Sequence, residues 1–384
     1  MSSGSNNLKV TSGNNIMVRR KVLLVLKVLF LFFLIHLISR ISVKDGFSPK
    51  TEYGTKELLR QVKEEQFVNW RLYGEKFSPN EVGKLPDHAT VRQQLAYQYP
   101  YEPLKPFPKN IWQTWKVGVE DVNFPPQYRK LEQSWLSLNP AYKHVMLPDE
   151  LCHELVKEMY SAVPDVARAY RILPKSILKA DFFRYLVLYA RGGVYSDIDT
   201  KCLKPIDTWA SMQKEVYGHV NNAGLVVGIE SDPDRPDWAE WYARRIQFTQ
   251  WTIQAKSGHP MLRELVARIT EHTLERERKH KLKKVLGKDE GGDIMFWTGP
   301  GIWTDTVFDY LNNDIQPQKN FDRKKIETFV TWKAFTGLTS PHYIQDVIVL
   351  PITSFSPGVG HMNSQDSSHP LAYAEHTFLG SWKP

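Results

Sequence analysis

Within Ser176–Cys202, SILKADFFRYLVLYARGGVYSDIDTKC, the side chains Asp181, Arg184, Asp197 and Asp199 stand at spacings that chemistry can use. Ile177, Leu178, Phe182, Tyr185, Leu186 and Tyr189 recur with helical period, which predicts a helix with a buried stripe. Asp181 and Arg184, three apart, share a different face of that helix and can act together. Gly192 and Gly193 end it, and Val194-Tyr195 open a strand that runs out in Ser196-Asp197-Ile198-Asp199. Alternate strand residues point the same way, so both aspartates are expected to project together, with Ile198 opposite. Neighbouring carboxylates repel, and one keeps a proton unless a cation lies between them. A hard divalent ion, Mg²⁺ or Mn²⁺ bound partly by substrate phosphates, satisfies that demand and acts as a Lewis acid on a departing diphosphate.

A second D-x-D, Asp232-Pro233-Asp234, serves as an internal control. It lies in a Pro-rich turn with no strand to aim it, and reads as a loop and helix-start feature. The informative pattern is the ordered set of helix, Gly-Gly and strand-end carboxylates.

Such a set needs a sheet to hold it. Short apolar runs at 110–115, 143–147, 193–197, 215–220, 224–229 and 347–351 alternate with helical patterns at 128–138, 150–160, 176–191, 236–251 and 260–286. Strand–helix alternation predicts an α/β fold with a largely parallel sheet, its ligands bound at the carboxyl ends of the strands.

The 384 residues carry 50 Lys+Arg against 42 Asp+Glu, for a net charge of +8. Residues 1–50 hold eight bases and one acid, so the remaining 334 are nearly neutral and a basic nucleic-acid-binding domain is excluded. Val22–Ile38 is apolar apart from Lys27 and His36, follows four basic residues, and offers no small-x-small cleavage site after it. The expected layout is a cytosolic tail (1–21), a signal anchor crossing the membrane (22–41), a polar stem (42–105) and a luminal domain (106–384). Two cysteines, Cys152 and Cys202, rule out a disulfide-stapled miniprotein, and their spacing leaves open whether they pair.

The central segment resembles the D-x-D glycosyltransferases, whose consensus reads S-D-x-x-R-x-x-x-L-x-x-x-G-G-x-Y-x-D-x-D, with Ala180 here in place of the serine. These include the fungal α-1,6-mannosyltransferases of the Golgi, the closer match, and the sugar-transferring domains of clostridial toxins. Further matching pieces are Pro108–Trp115, Thr298-Gly299-Pro300-Gly301 with Trp303-Thr304-Asp305, and His376–Lys383. The resemblance implies a GT-A-type domain, a Rossmann-like mixed sheet flanked by helices, that uses GDP-mannose and Mn²⁺, with Mg²⁺ as the alternative. It implies Asp199 as direct metal ligand, and Asp197 on the ribose or on the metal through water. Asp181 would hold donor-sugar hydroxyls, and Arg184 the sugar or diphosphate. Trp112 and Gln113 would line the nucleotide pocket, His376 would ligate metal or diphosphate, and Trp382 and Lys383 would close over the leaving group. Asn222, Trp303 and Asp305 are candidates for a wall facing the sugar or acceptor. The implied acceptor is a high-mannose N-glycan, the compartment the Golgi membrane, and the possible partners other subunits of a mannan-synthesising complex.

An α-linked donor and an α product mean retention, and no obvious nucleophile stands in the sequence, so a front-face displacement is expected. A phosphohydrolase of D-x-D-x-[TV] type is disfavoured because Lys201 occupies the Thr/Val place. A scaffolding subunit is the other alternative, against which the intact Asp181, Arg184, Asp197 and Asp199 argue. The tryptophans Trp112, Trp115, Trp297, Trp303 and Trp382 are able to stack on sugars or base, with core packing as the ordinary reading of each.

Overall fold

Ile111 and Trp112, Val194 and Tyr195, and Val226 and Val227 are adjacent pairs buried in opposite apolar clusters. That alternation makes a sheet covered on both faces, because successive strand residues point to opposite sides. The computed structural model describes residues 85, 88–216, 219–285, 291–312 and 329–378. The expected cytosolic tail and anchor, most of the stem, and Trp382 and Lys383 lie outside the described residues. Among the described residues no helix is long and apolar enough to cross a membrane.

The chain order begins α1 (Val91–Gln98), β1 (Asn110–Trp115), α2 (Pro126–Leu138), β2 (Lys143–Pro148), α3 (Asp149–Met159), α4 (Pro164–Ile172), α5 (Ser176–Arg191), β3 (Gly193–Ser196) and β4 (Thr200–Cys202). It continues with β5 (Glu215–Val216), β6 (His219–Val220), β7 (Leu225–Ser231), β8 (Gln247–Phe248), β9 (Thr252–Ala255), α6 (Pro260–Arg278), α7 (Gly291–Trp297) and α8 (Pro300–Leu311). It closes with β10 (His342–Ile344), β11 (Val347–Leu350), α9 (Ile352–Phe355) and β12 (Ala374–His376). The main sheet runs β10-β11-β7-β9-β3-β1-β2, with β8 beside β7. It is mixed rather than largely parallel: β1 pairs in parallel with β2 and β3, and β11 with β7, while β9 lies antiparallel between β3 and β7.

Helix α5 is buried from Phe182 to Ala190 without interruption. The single stripe expected from its sequence understates this, since helices cover it on several sides. Two glycines then turn the chain into β3. Gly192 (φ +63°) caps α5, and a Cβ there would lie 2.8 Å from Pro108 and from the Ser257 nitrogen. Gly193 (φ +103°) would place a Cβ 2.5 Å from the Asn110 carbonyl, so neither position accepts a side chain.

The helix expected over 236–251 is absent. A single turn at Trp238–Glu240 is followed by β8, because Arg244 and Arg245 are drawn out to Asp305 and Asp232, and Gln247 and Phe248 pair with β7. Asp232 starts no helix; it is buried and accepts from Arg245, Thr336 and the Gly337 amide.

Folded chain also begins before the expected stem boundary at 105. Thr90 and Gln93 form a capping box on α1, Leu95 is fully buried, and Arg92 bridges Glu264 and Glu271 of α6. Tyr101 donates to Asp346 (2.7 Å), which also accepts from Tyr310 (2.7 Å) and stands 3.2 Å from His259. These partners hold the Asp346 carboxyl well below the ordinary carboxylate range. Asp346→Ala is expected to cost about 3 kcal/mol in denaturant unfolding, since the Tyr101 and Tyr310 hydroxyls lose their acceptor and buried His259 loses the carboxylate it faces. A depressed acid stabilises above its unfolded pKa, so the difference between wild type and variant should hold at neutral pH and shrink below about pH 4. Equal unfolding midpoints at pH 7 would refute the role.

Candidate active site

The end of β3 is where the chain turns. Asp197 donates its N–H to the Trp251 carbonyl (2.8 Å), and its own carbonyl accepts from the Thr200 amide (3.1 Å), the Thr200 hydroxyl (2.6 Å) and Gln113 Nε2 (3.2 Å). Asp197-Ile198-Asp199 is therefore a tight turn and not the continuing strand read from the sequence. Ile198 faces away into a small cluster with Phe124, Tyr128 and Met146. The carboxylates still converge, because the turn, and no strand period, brings them together.

The third member arrives from the far end of the chain. β4 pairs antiparallel with β12, with Thr200 opposite His376, and the Asp199 carbonyl accepts from the Thr377 amide (2.9 Å) and hydroxyl (2.7 Å). This register sets His376 Nε2 3.3 Å from Asp199 Oδ1. One ligand atom from each of Asp197, Asp199 and His376 lies within 4.8 Å of the others. Burial holds the His376 imidazole below its ordinary pKa, hence neutral, and raises that of Asp199, an effect His376 partly offsets. A neutral imidazole beside two carboxylates, one of them short of solvent, is a donor set that a divalent cation fits. The side chain of Asp197 is 25 % exposed, and those of Asp199 and His376 11 %, so the cluster remains reachable.

Arg184 joins this cluster to α5. It lies 2.9 Å from Asp181 and 3.5 Å from Asp197, donates to the Gln250 carbonyl (3.1 Å), and rests over the Tyr195 ring. Its Nε has no partner among the described residues. Asp181 is 1 % exposed and accepts from Thr298 Oγ1 (3.0 Å) and Gln250 Nε2 (3.3 Å) as well. Burial pushes its carboxyl up to about 7 despite Arg184. Both Asp181 oxygens face protein donors, and one of them is held against Arg184 in the interior. Tyr195 donates to Asp197 Oδ1 (2.7 Å) and so aims the carboxylate.

Several expected site residues are buried or stand elsewhere. Trp112 is 2 % exposed with its indole N–H spent on the Gly192 carbonyl (2.9 Å), so it offers no face to a nucleotide. Gln113 is buried between Asp197 and His144 and braces the turn. Trp303 is fully buried and stacked on Tyr185 at 5.4 Å, which makes it core and no sugar wall. Asp305 is bound to Arg244. Asn222 is exposed and precedes β7, at the edge where β3 starts; Asp197 follows β3 at the opposite edge, ~15 Å away along the strand. The residue that sequence reading missed is Gln250, which reaches Asp181 from a segment distant in the chain; Thr298 was visible within Thr298-Gly299-Pro300-Gly301, though not as a partner of Asp181. Tyr195 was visible as part of G-G-x-Y-x-D-x-D.

Residues 125–216 match the family model described as "Glycosyltransferase sugar-binding region containing DXD motif". The chain is 58% identical to the initiation-specific α-1,6-mannosyltransferase of Candida albicans, over 94% of this chain and 94% of that one. It is 38% identical to the enzyme of the same name from Saccharomyces cerevisiae (76% of this chain, 82% of that one), and 46% identical to that from Schizosaccharomyces pombe (76% and 67%). With its D-x-D turn, its Arg184 clamp and this likeness along nearly the whole sequence, the chain belongs to the initiation-specific α-1,6-mannosyltransferase family of glycosyltransferases.

Proposed function

We propose that this glycosyltransferase moves mannose from GDP-mannose, in α-1,6 linkage and with retention, onto the core of a high-mannose N-glycan. The domain is of GT-A type and faces the Golgi lumen, held to the membrane by residues 22–41. The convergence of Asp197, Asp199 and His376 within 4.8 Å of one another, beside Arg184, is the observation that carries this reading.

Those three side chains would hold Mn²⁺, the mixed oxygen and imidazole set suiting it better than Mg²⁺. When bound, the ion supplies Lewis-acid stabilisation of the leaving diphosphate. Arg184, fixed on one side by Asp181 and on the other by Asp197, holds a cationic edge where negative charge grows as the glycosyl–phosphate bond breaks. Its geometry is set before substrate arrives, which is where such electrostatic help is most effective. Tyr195 and Gln113 fix the turn from side chain and backbone. The proton of the acceptor hydroxyl passes to the departing diphosphate in a front-face displacement, so no protein nucleophile is called for.

The test is transfer by the full-length chain from GDP-mannose to a high-mannose N-glycan, with linkage analysis of the product. Chelation with EDTA should abolish transfer and added Mn²⁺ restore it. Undiminished activity after exhaustive chelation, or a linkage other than α-1,6, contradicts the proposal.

A further inference from the structure

A cavity of about 700 Å³ lies beside the segment that leads into β8, lined among others by Trp238, Trp332, Phe308, Arg244, Arg245 and Asp234. Its guanidinium groups are already neutralised. Arg244 is bound to Asp305 (2.6 Å), Arg245 to Asp232 (2.8 Å), and Arg235, also in the wall, to Asp237. They are also stacked: Arg245 lies 5.0 Å over the Trp332 ring and Arg244 4.9 Å over that of Phe296. Large aromatic side chains remain in water around it, Trp332 38%, Phe296 48% and Trp241 65% exposed. Each ring lies over a guanidinium of the wall, so the three are gathered about one cavity and not scattered singly.

The lining selects a ligand class. A phosphate would meet a carboxylate beside every guanidinium of the wall, two of them on Arg245, with no divalent-ion donor set among the described residues there to offset the repulsion. A purely apolar ligand would desolvate three ion pairs without giving hydrogen bonds back. A neutral molecule with flat C–H faces for the indoles and many hydroxyls for the paired Arg and Asp edges satisfies both, and that is an oligosaccharide.

The cavity is tied to the catalytic turn by short pieces of chain. Arg245 and Ile246 in its wall lead through β8 to Gln250, which meets Asp181 and Arg184, and to Trp251, whose carbonyl receives the Asp197 amide. Gln250 lies five positions after Arg245, at most ~18 Å of extended chain. Phe296, beneath Arg244, is two residues from Thr298, which donates to Asp181. A ligand reaching from cavity to turn is thus several sugars long.

We propose that this cavity holds the mannose chain of the acceptor at units remote from the one that receives the new sugar, an assignment that rests on the mannosyltransferase reading above. It selects large branched acceptors, while the D-x-D turn and Arg184 handle the donor.

The full-length chain is titrated calorimetrically with a free high-mannose oligosaccharide and, separately, with GDP in the presence of Mn²⁺. Trp332→Ala and Trp238→Ala should each weaken the oligosaccharide about tenfold and leave GDP affinity at the wild-type value. Trp332→Phe, which keeps a ring, should retain most of the affinity. Unchanged oligosaccharide affinity in both alanine variants overturns the proposal. So does competition by inorganic phosphate in the wild type, or an equal loss of GDP affinity in both alanine variants, since the two rings would then serve the fold and not the oligosaccharide. Failure of the wild type to bind GDP with Mn²⁺ would instead strike the donor reading, and the two failures are separable.

Discussion

Asp199→Ala should lower kcat for mannosyl transfer by about 10³-fold or more while leaving the thermal midpoint nearly unchanged. The two effects part because the residue does two jobs with different atoms. Its carbonyl ties β12 to β4 through the Thr377 amide and hydroxyl, and this survives truncation of the side chain. Its carboxylate faces His376 Nε2 at 3.3 Å, and without it the cluster keeps one acid and one imidazole. Removing a carboxylate raised by burial also relieves a folding cost, so no large destabilisation is due. Steady-state kinetics with saturating GDP-mannose, read beside a melting curve, check both halves. A variant that transfers at the wild-type rate would remove the metal site from the mechanism.

Arg184→Ala should injure both activity and fold. The guanidinium is 3 % exposed and lies between Asp181 and Asp197, so its loss leaves two acids facing one another with no cation. Breaking a buried ion pair from one side costs about 3–5 kcal/mol. Transfer should fall about 10²–10³-fold as the leaving diphosphate loses its cationic partner.

The pH dependence follows from Asp181. Its carboxyl in the folded protein already stands near 7, above the unfolded value of about 3.9, so the folded state binds more protons and stability declines as pH rises between those values. Without Arg184 the folded value climbs further. The variant should therefore approach wild-type stability near pH 4–5 and lose most ground above pH 7. The double change Arg184→Ala with Asp181→Asn should recover much of the stability and none of the activity. Unfolding curves at pH 5 and pH 8 that shift in parallel would show that Asp181 does not feel Arg184.

What the sequence disclosed tracks how local each signal was. Helix α5 spans 176–191 as its apolar period and following glycines foretold, and β1 occupies 110–115 as read from its apolar run. The segment 236–251 failed because its conformation is decided by Asp305 and Asp232 and by pairing with β7, none of which lies in the window. Trp112 and Trp303 showed their type but not their burial, and an indole suits a core as well as a sugar. His376 stands 177 positions from Asp199, and only the β4–β12 register joins them. Nothing in composition or period encodes such a pairing, which is why likeness to known sequences pointed to it and residue patterns did not. The two aspartates were found for a partly mistaken reason, since a turn aims them and no strand alternation does.

Cys152 and Cys202 are both buried as free thiols, the first in the helical layer on one face of the sheet and the second in the layer on the other. Burial raises both, Cys202 to about 11 and Cys152 well above its ordinary value, so neither reacts in place. Each thiol is therefore a sentinel for its own side of the molecule. An alkylating reagent in solution meets Cys152 only after one layer lifts, and Cys202 only after the other does. The ratio of the two modification rates, read by mass spectrometry, tells which half of the sandwich breathes first.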